Sequence, residues 1–225
     1  DTTHDTTHDT THDTKGTVMY IFNRSISANR SQLMEATAAA VEVAAMATKI
    51  GGIEVSVFGS VFGTPVNTIA WSSLVESQAQ LQEATEKLLG NAEYLAWVDS
   101  HGDLFESAAN DRLSSVVSTT FTGPKRFYEI LAATASAGKV GEAVEFGVRA
   151  QQLVSQLSGL ESAFAMEVYG AYGSVVWLTG ADSMAELDAL QQLQMSSAEY
   201  QALGVEAGSL FIEGSGANSL IQRIA

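Results

Sequence analysis

Gly16-Thr17-Val18-Met19-Tyr20-Ile21-Phe22-Asn23-Arg24 has a counterpart 107 positions later, Gly123-Pro124-Lys125-Arg126-Phe127-Tyr128-Glu129-Ile130-Leu131. Both are rich in β-forming residues after a glycine, so Val18 to Arg24 and Lys125 to Leu131 read as equivalent strands. The same offset brings Ala28 onto Ala135, Glu35-Ala36 onto Glu142-Ala143, Gly52 onto Gly159 and Glu54 onto Glu161. After an adjustment of three residues, Phe62-Gly63-Thr64 falls on Tyr172-Gly173-Ser174, Val66 on Val176 and Glu76 on Glu186. A deletion of four residues then restores Glu93-Tyr94 onto Glu199-Tyr200, Gly102 onto Gly208 and Leu104-Phe105 onto Leu210-Phe211. Glycines, aromatics and acids keep their order and the gaps fall where turns are expected, as a duplication requires. The chain therefore divides into a tail, residues 1–15, and two units, 16–122 and 123–225. The period is too long for a solenoid, so the units are domains and not an array.

Within each unit the elements follow one order. Ser31 to Lys49 is dominated by Ala, Met, Glu and Gln and is closed by Gly51-Gly52, which predicts a helix; Lys139 to Leu157, closed by Ser158-Gly159, matches it. Glu54 to Phe62 and Val66 to Trp71 flank Gly63-Thr64-Pro65 and predict a hairpin, repeated by Glu161 to Tyr172 and Val175 to Thr179. Second helices follow over Ser77 to Leu89 and Ala185 to Gln194, then a short helical turn around Tyr94 to Trp97 and Tyr200 to Leu203. Leu113 to Phe121 and Leu220 to Ala225 supply the closing strands. The order βαββαβ with two helices is the ferredoxin-like arrangement, an α+β unit whose helices cover one face of a four-stranded antiparallel sheet. Val18-Met19-Tyr20-Ile21-Phe22 is apolar at consecutive positions, so the second face must also be covered. The matching sheet of the other unit is the available cover, which predicts a barrel with helices outside and a pocket between the repeats.

Composition narrows the partners. The 26 acidic and 11 basic residues give a net charge of −15, which repels phosphate backbones and anionic membrane surfaces, so neither nucleic acid nor membrane is expected. No apolar run reaches the roughly 18 residues of a membrane span. The chain holds no cysteine, which removes disulfides, thiolate metal sites and a cysteine nucleophile, and the cytoplasm is the default localisation. No P-loop, dinucleotide-binding glycine fingerprint, nucleophile elbow or His-Glu-x-x-His motif is present.

The tail repeats Asp-Thr-Thr-His and spaces His4, His8 and His12 four residues apart. On a helix these imidazoles would share a face able to hold a divalent metal. The threonines disfavour that helix, and the plainer expectation is a low-complexity tract with no specific metal site.

The run Val66-Asn67-Thr68-Ile69-Ala70-Trp71-Ser72-Ser73-Leu74, then an acidic helix, then Asn91-Ala92-Glu93-Tyr94-Leu95-Ala96-Trp97, resembles the dimeric α/β barrel superfamily. The likeness is strongest to its NIPSNAP and antibiotic-biosynthesis-monooxygenase branches and covers about residues 16 to 225. It implies an intramolecular dimeric α/β barrel, and a cofactor-independent monooxygenase-type enzyme acting on an apolar or aromatic molecule. Tandem chains also resemble the chlorite dismutase and dye-decolourising peroxidase lineages, which hold haem through a histidine of the second unit; no histidine follows His101 here, so no cofactor is expected.

Four residues are candidates for catalysis. Asn67 and Trp71 have the same strand parity and can share a face. The alignment places Trp177 and Ala181 opposite them in the second unit, so their site would belong to the first. Against this stands a packing role for the tryptophan and a turn role for the asparagine. His101 with Asp103 has the form of a general base and its orienting carboxylate, or else of a solvated surface pair. Arg24 and Arg112 are either anion ligands or partners in surface ion pairs. The rival to an enzyme is a non-catalytic assembly module in a homo-oligomer or with a protein partner.

Overall fold

The computed structural model describes residues 18–225, so the histidine tract of the tail lies outside the described residues. The first unit runs β1 (Tyr20–Ser27), α1 (Leu33–Gly51), β2 (Ser56–Phe62), β3 (Thr68–Val75), α2 (Gln78–Leu89), α3 (Ala92–His101) and β4 (Asn110–Thr119). The second runs β5 (Phe127–Thr134), α4 (Val140–Ser158), β6 (Glu161–Tyr169), β7 (Ser174–Ala181), α5 (Met184–Ser196), α6 (Ala198–Ala207) and β8 (Ala217–Arg223). Each unit has a third helix where a short turn was expected. Asn91 and Ser197 cap these helices by accepting the backbone N–H of Tyr94 and Tyr200, which lets the turn extend to ten residues.

The strands form one closed antiparallel barrel in the order β1-β3-β2-β8-β5-β7-β6-β4. Each unit contributes the ferredoxin-like order 4-1-3-2, and the units are hydrogen-bonded edge to edge through β2–β8 and β4–β6. Closure leaves the sheet without an open edge.

The helices pack outside the barrel, and α1 and α4 show why. Ala36, Ala39, Ala40, Val43 and Ala44 are buried on α1, and Ala143, Phe146, Gly147, Ala150 and Gln151 are their equivalents on α4. That spacing is one stripe of a helix facing a core. Both helices end on a left-handed glycine, Gly52 and Gly159, whose N–H donates to Thr48 and Ser155 respectively.

Strand register corrects the alignment of the second hairpin. Trp71 lies opposite Arg24, and Trp177 lies opposite Leu131. The two tryptophans are therefore equivalent, and each indole donates to the first helix of its unit, at Ala40 O and Gly147 O, both at 3.0 Å. The equivalent of Asn67 is Gly173: their carbonyls accept from Ala28 and Ala135 at 2.8 and 2.9 Å. A single deleted residue in the hairpin replaces the two larger shifts of the sequence alignment.

Candidate functional site

Three of the four sequence candidates, Asn67, Trp71 and His101, are tied into the first unit by side-chain hydrogen bonds. Asn67 is buried, and its amide donates to Ala28 O at 2.6 Å while its own carbonyl accepts from Ala28 N–H. Trp71 packs on the Ala36–Ala40 stripe of α1. The His101 ring stacks on Trp97 at 4.1 Å and 11°, with Nδ1 2.8 Å from Trp97 O and 2.9 Å from Ser100 Oγ. Asp103 is exposed in the following turn, and the described hydrogen bonds do not join it to His101. Trp71 and Asn67 approach the same region of the first unit; His101 and Asp103 do not form the pair their spacing suggested. Arg24 makes a bidentate ion pair with Asp111 at 2.7 and 2.6 Å, and Arg112 pairs with Glu167 at 3.3 Å.

A cavity of about 580 Å³ lies in the second unit, between the outer face of its sheet and helices α4 and α6. Every lining residue falls between Glu129 and Asn218, so this cavity is distinct from the pocket expected between the repeats. None of Asn67, Trp71, His101 and Asp103 lines it. β5 supplies Glu129, Leu131 and Ala133, three alternate positions and hence one face of the strand.

The wall is mostly apolar. Phe146, Trp177 and Phe211 meet edge to face, with ring centroids 5.7 to 6.2 Å apart. At the floor, Gln151 Nε2 donates to Ser162 Oγ at 2.9 Å and Ser118 Oγ donates to Gln151 Oε1 at 2.9 Å, so this buried amide is satisfied. The carboxylate of Glu129 and the phenol of Tyr200 have no hydrogen-bond partner among the described residues. Burial pushes the Glu129 carboxyl above the usual carboxylate range. Burial, and then the charge of Glu129, push the Tyr200 phenol up.

The duplication accounts for the difference between the two units at this place. Phe22 stands in the first unit where Glu129 stands in the second, opposite Ser73 and Thr179 respectively. Trp97 and His101 stand where the second unit has Leu203 and Ala207. The stacked Trp97–His101 pair fills volume in the first unit that Leu203 and Ala207 leave vacant in the second. Sequence reading passed over Glu129 and Tyr200; the signal was a lone acid in an otherwise apolar strand, at a site where the other copy has Phe22.

Among the described residues no helix is long and apolar enough to cross a membrane, and no group of three or more His, Asp or Glu side chains could hold a metal ion. No protein-family model and no curated protein matches the sequence. Solved structures do share the fold. A monooxygenase candidate from Fusobacterium nucleatum subsp. nucleatum superposes with a TM-score of 0.68 at 8% identity, covering 93% of this chain and 94% of its own. An anthrone oxidase-like protein gives 0.64 at 13% identity, over 94% and 93%. A mutant chlorite dismutase from Candidatus Nitrospira defluvii gives 0.54 at 8% identity, over 91% and 90%. These likenesses span nearly the whole chain, and with the closed eight-strand barrel they identify the architecture as the dimeric α/β barrel, built here from two tandem ferredoxin-like units.

Proposed function

We propose that the protein binds a small apolar or aromatic molecule in the cavity of its second unit. The observation that carries this reading is the cavity itself: about 580 Å³ is within the range of small-molecule sites, and its aromatic wall with a few unpaired polar groups is their usual composition. A cofactor-independent monooxygenase-type reaction on that molecule is the catalytic form of the reading. It draws support from the shared fold with a monooxygenase candidate and an anthrone oxidase-like protein. In that form Glu129 would take a proton from the substrate, because a carboxyl held above its usual range and facing the ligand is suited to general-base work.

Haem does not fit this cavity. Residues 123–225 contain no histidine, cysteine is absent from the chain, and no Lys or Arg lines the wall to meet the carboxylates of a haem. Tyr200 is the remaining ligand type, and its raised pKa holds the proton that a tyrosinate ligand must lose.

The second unit supplies its own test. Leu203→Trp installs the residue that fills the equivalent volume of the first unit. Binding of 1-naphthalenemethanol, followed by calorimetric titration, is expected to be lost in this variant while the protein keeps its thermal transition. Unchanged affinity in the folded variant would move the site elsewhere.

A further inference from the structure

Glu129 is a half-buried carboxylate in an apolar cavity, and nothing among the described residues pairs with it. No Lys, Arg or His lines the cavity, and the nearby Arg149, over the Phe146 ring, is paired with Glu206 and not with Glu129. An unpaired carboxylate removed from water is costly, and the upward displacement of its pKa records that cost. A neutral apolar ligand would deepen the penalty by displacing the remaining water. A ligand that brings its own positive charge would reverse it, since an ion pair and a charge-assisted hydrogen bond would replace the lost hydration.

Three further features favour the same ligand. Glu213 adds a second acid at the exposed rim. The rings of Trp177 and Phe211 present π-systems that attract a cation brought near their faces, whereas Phe146 already has the Arg149 guanidinium 5.8 Å from its ring centroid. The net charge of −15 raises the local concentration of cations around the whole molecule. We propose that the ligand of this cavity is an organic cation, an apolar or aromatic body carrying a protonated amine, and that Glu129 is the residue that selects it. The aromatic wall takes the body, Glu129 takes the ammonium group, and Tyr200 beside it can accept a further N–H. This assignment rests on the cavity being a ligand site and adds the charge of what enters it.

Three probes with one ring system and different charge separate the possibilities: 1-naphthylmethylamine, 1-naphthalenemethanol and 1-naphthoic acid, titrated calorimetrically at neutral pH. The amine is expected to bind at least tenfold more tightly than the alcohol, about 1.4 kcal/mol, with the acid weakest. Glu129→Gln keeps the shape and removes the charge, and should erase the preference for the amine. Glu83→Gln, on an exposed face of α2, controls for the change in net charge and should keep it. Carboxyl ¹³C titration of the unmodified protein gives a reading that does not depend on the variant folding. Bound amine should lower the titration point of Glu129, and bound alcohol should not. Equal affinity for alcohol and amine, or a preference that survives Glu129→Gln, overturns the charge assignment and leaves the cavity as a site for neutral molecules. Binding of none of the three overturns the assignment and the cavity reading together.

Discussion

Gly147 and Phe164 share one volume. A methyl group added at Gly147 would overlap the Phe164 ring, which is fully buried beneath α4. The first unit solves the same contact the other way round, with Ala40 on the helix and Val57 on the strand. Gly147→Ala should therefore destabilise the protein by about 1–3 kcal/mol through overpacking. Gly147→Ala with Phe164→Val should recover part of that loss, a coupling that denaturant unfolding of both singles and the double would reveal. Asn67→Ala should cost about 1–3 kcal/mol, because Ala28 is wholly buried and its carbonyl would lose the Asn67 amide. Glu129 acts on stability in the opposite sense. Its folded-state pKa is raised, so its favourable share is present below the ordinary carboxylate value and is lost as pH rises through the raised one. Tyr200 and Glu213 are the other titratable groups on the cavity wall, and neither supplies positive charge. Glu129→Gln should raise the melting temperature at neutral pH and have less effect in acid; equal effects at both would contradict the burial argument. At this scale the sequence offered Asn67 and Trp71 both as site residues and as packing or turn residues, and it is their hydrogen bonds to Ala28 and Ala40 that describe the packing role; Glu129 and Tyr200, which belong to no motif, were not legible.

At the scale of elements, strands and long helices were legible because their signals are local. The alanine stripe of α1 and the left-handed glycines that end α1 and α4 can be read from spacing and composition. The alignment of the hairpins was not, since matching Phe62-Gly63-Thr64 to Tyr172-Gly173-Ser174 by residue type shifted Trp177 away from Trp71. Only cross-strand register, with Arg24 opposite one tryptophan and Leu131 opposite the other, restores them. The lengths of α3 and α6 were also underestimated, because a ten-residue helix with a weak apolar face gives little periodic signal. Gly204 sits inside α6 with open space around its missing side chain and an ordinary helical backbone. Gly204→Ala should stabilise the protein by about 0.5–1 kcal/mol, read as a higher melting temperature. No gain, with the helix intact, would show that α6 is held by packing alone.

At the scale of the molecule, duplication provided two copies of one outer shell and divergence made them unlike. The first copy is filled, by Trp97 stacked on His101 and by the Arg24–Asp111 ion pair. The second holds the cavity, with Leu203 and Ala207 in the places of that stack. The duplication and the barrel were legible because the repeat runs through the whole of both units. The location of the cavity was not, because it depends on which copy has the smaller side chains after the correct alignment, a sum over residues far apart in sequence. The central claim is that ligand binding belongs to the second unit, and amide chemical-shift mapping during titration with 1-naphthalenemethanol tests it most directly. Shifts concentrated at Leu131, Ala150, Leu203 and Ala207, with Trp71, Trp97 and His101 unmoved, are the predicted result. Shifts centred on Asn67, Trp71 and His101 would contradict it and return the site to the first unit.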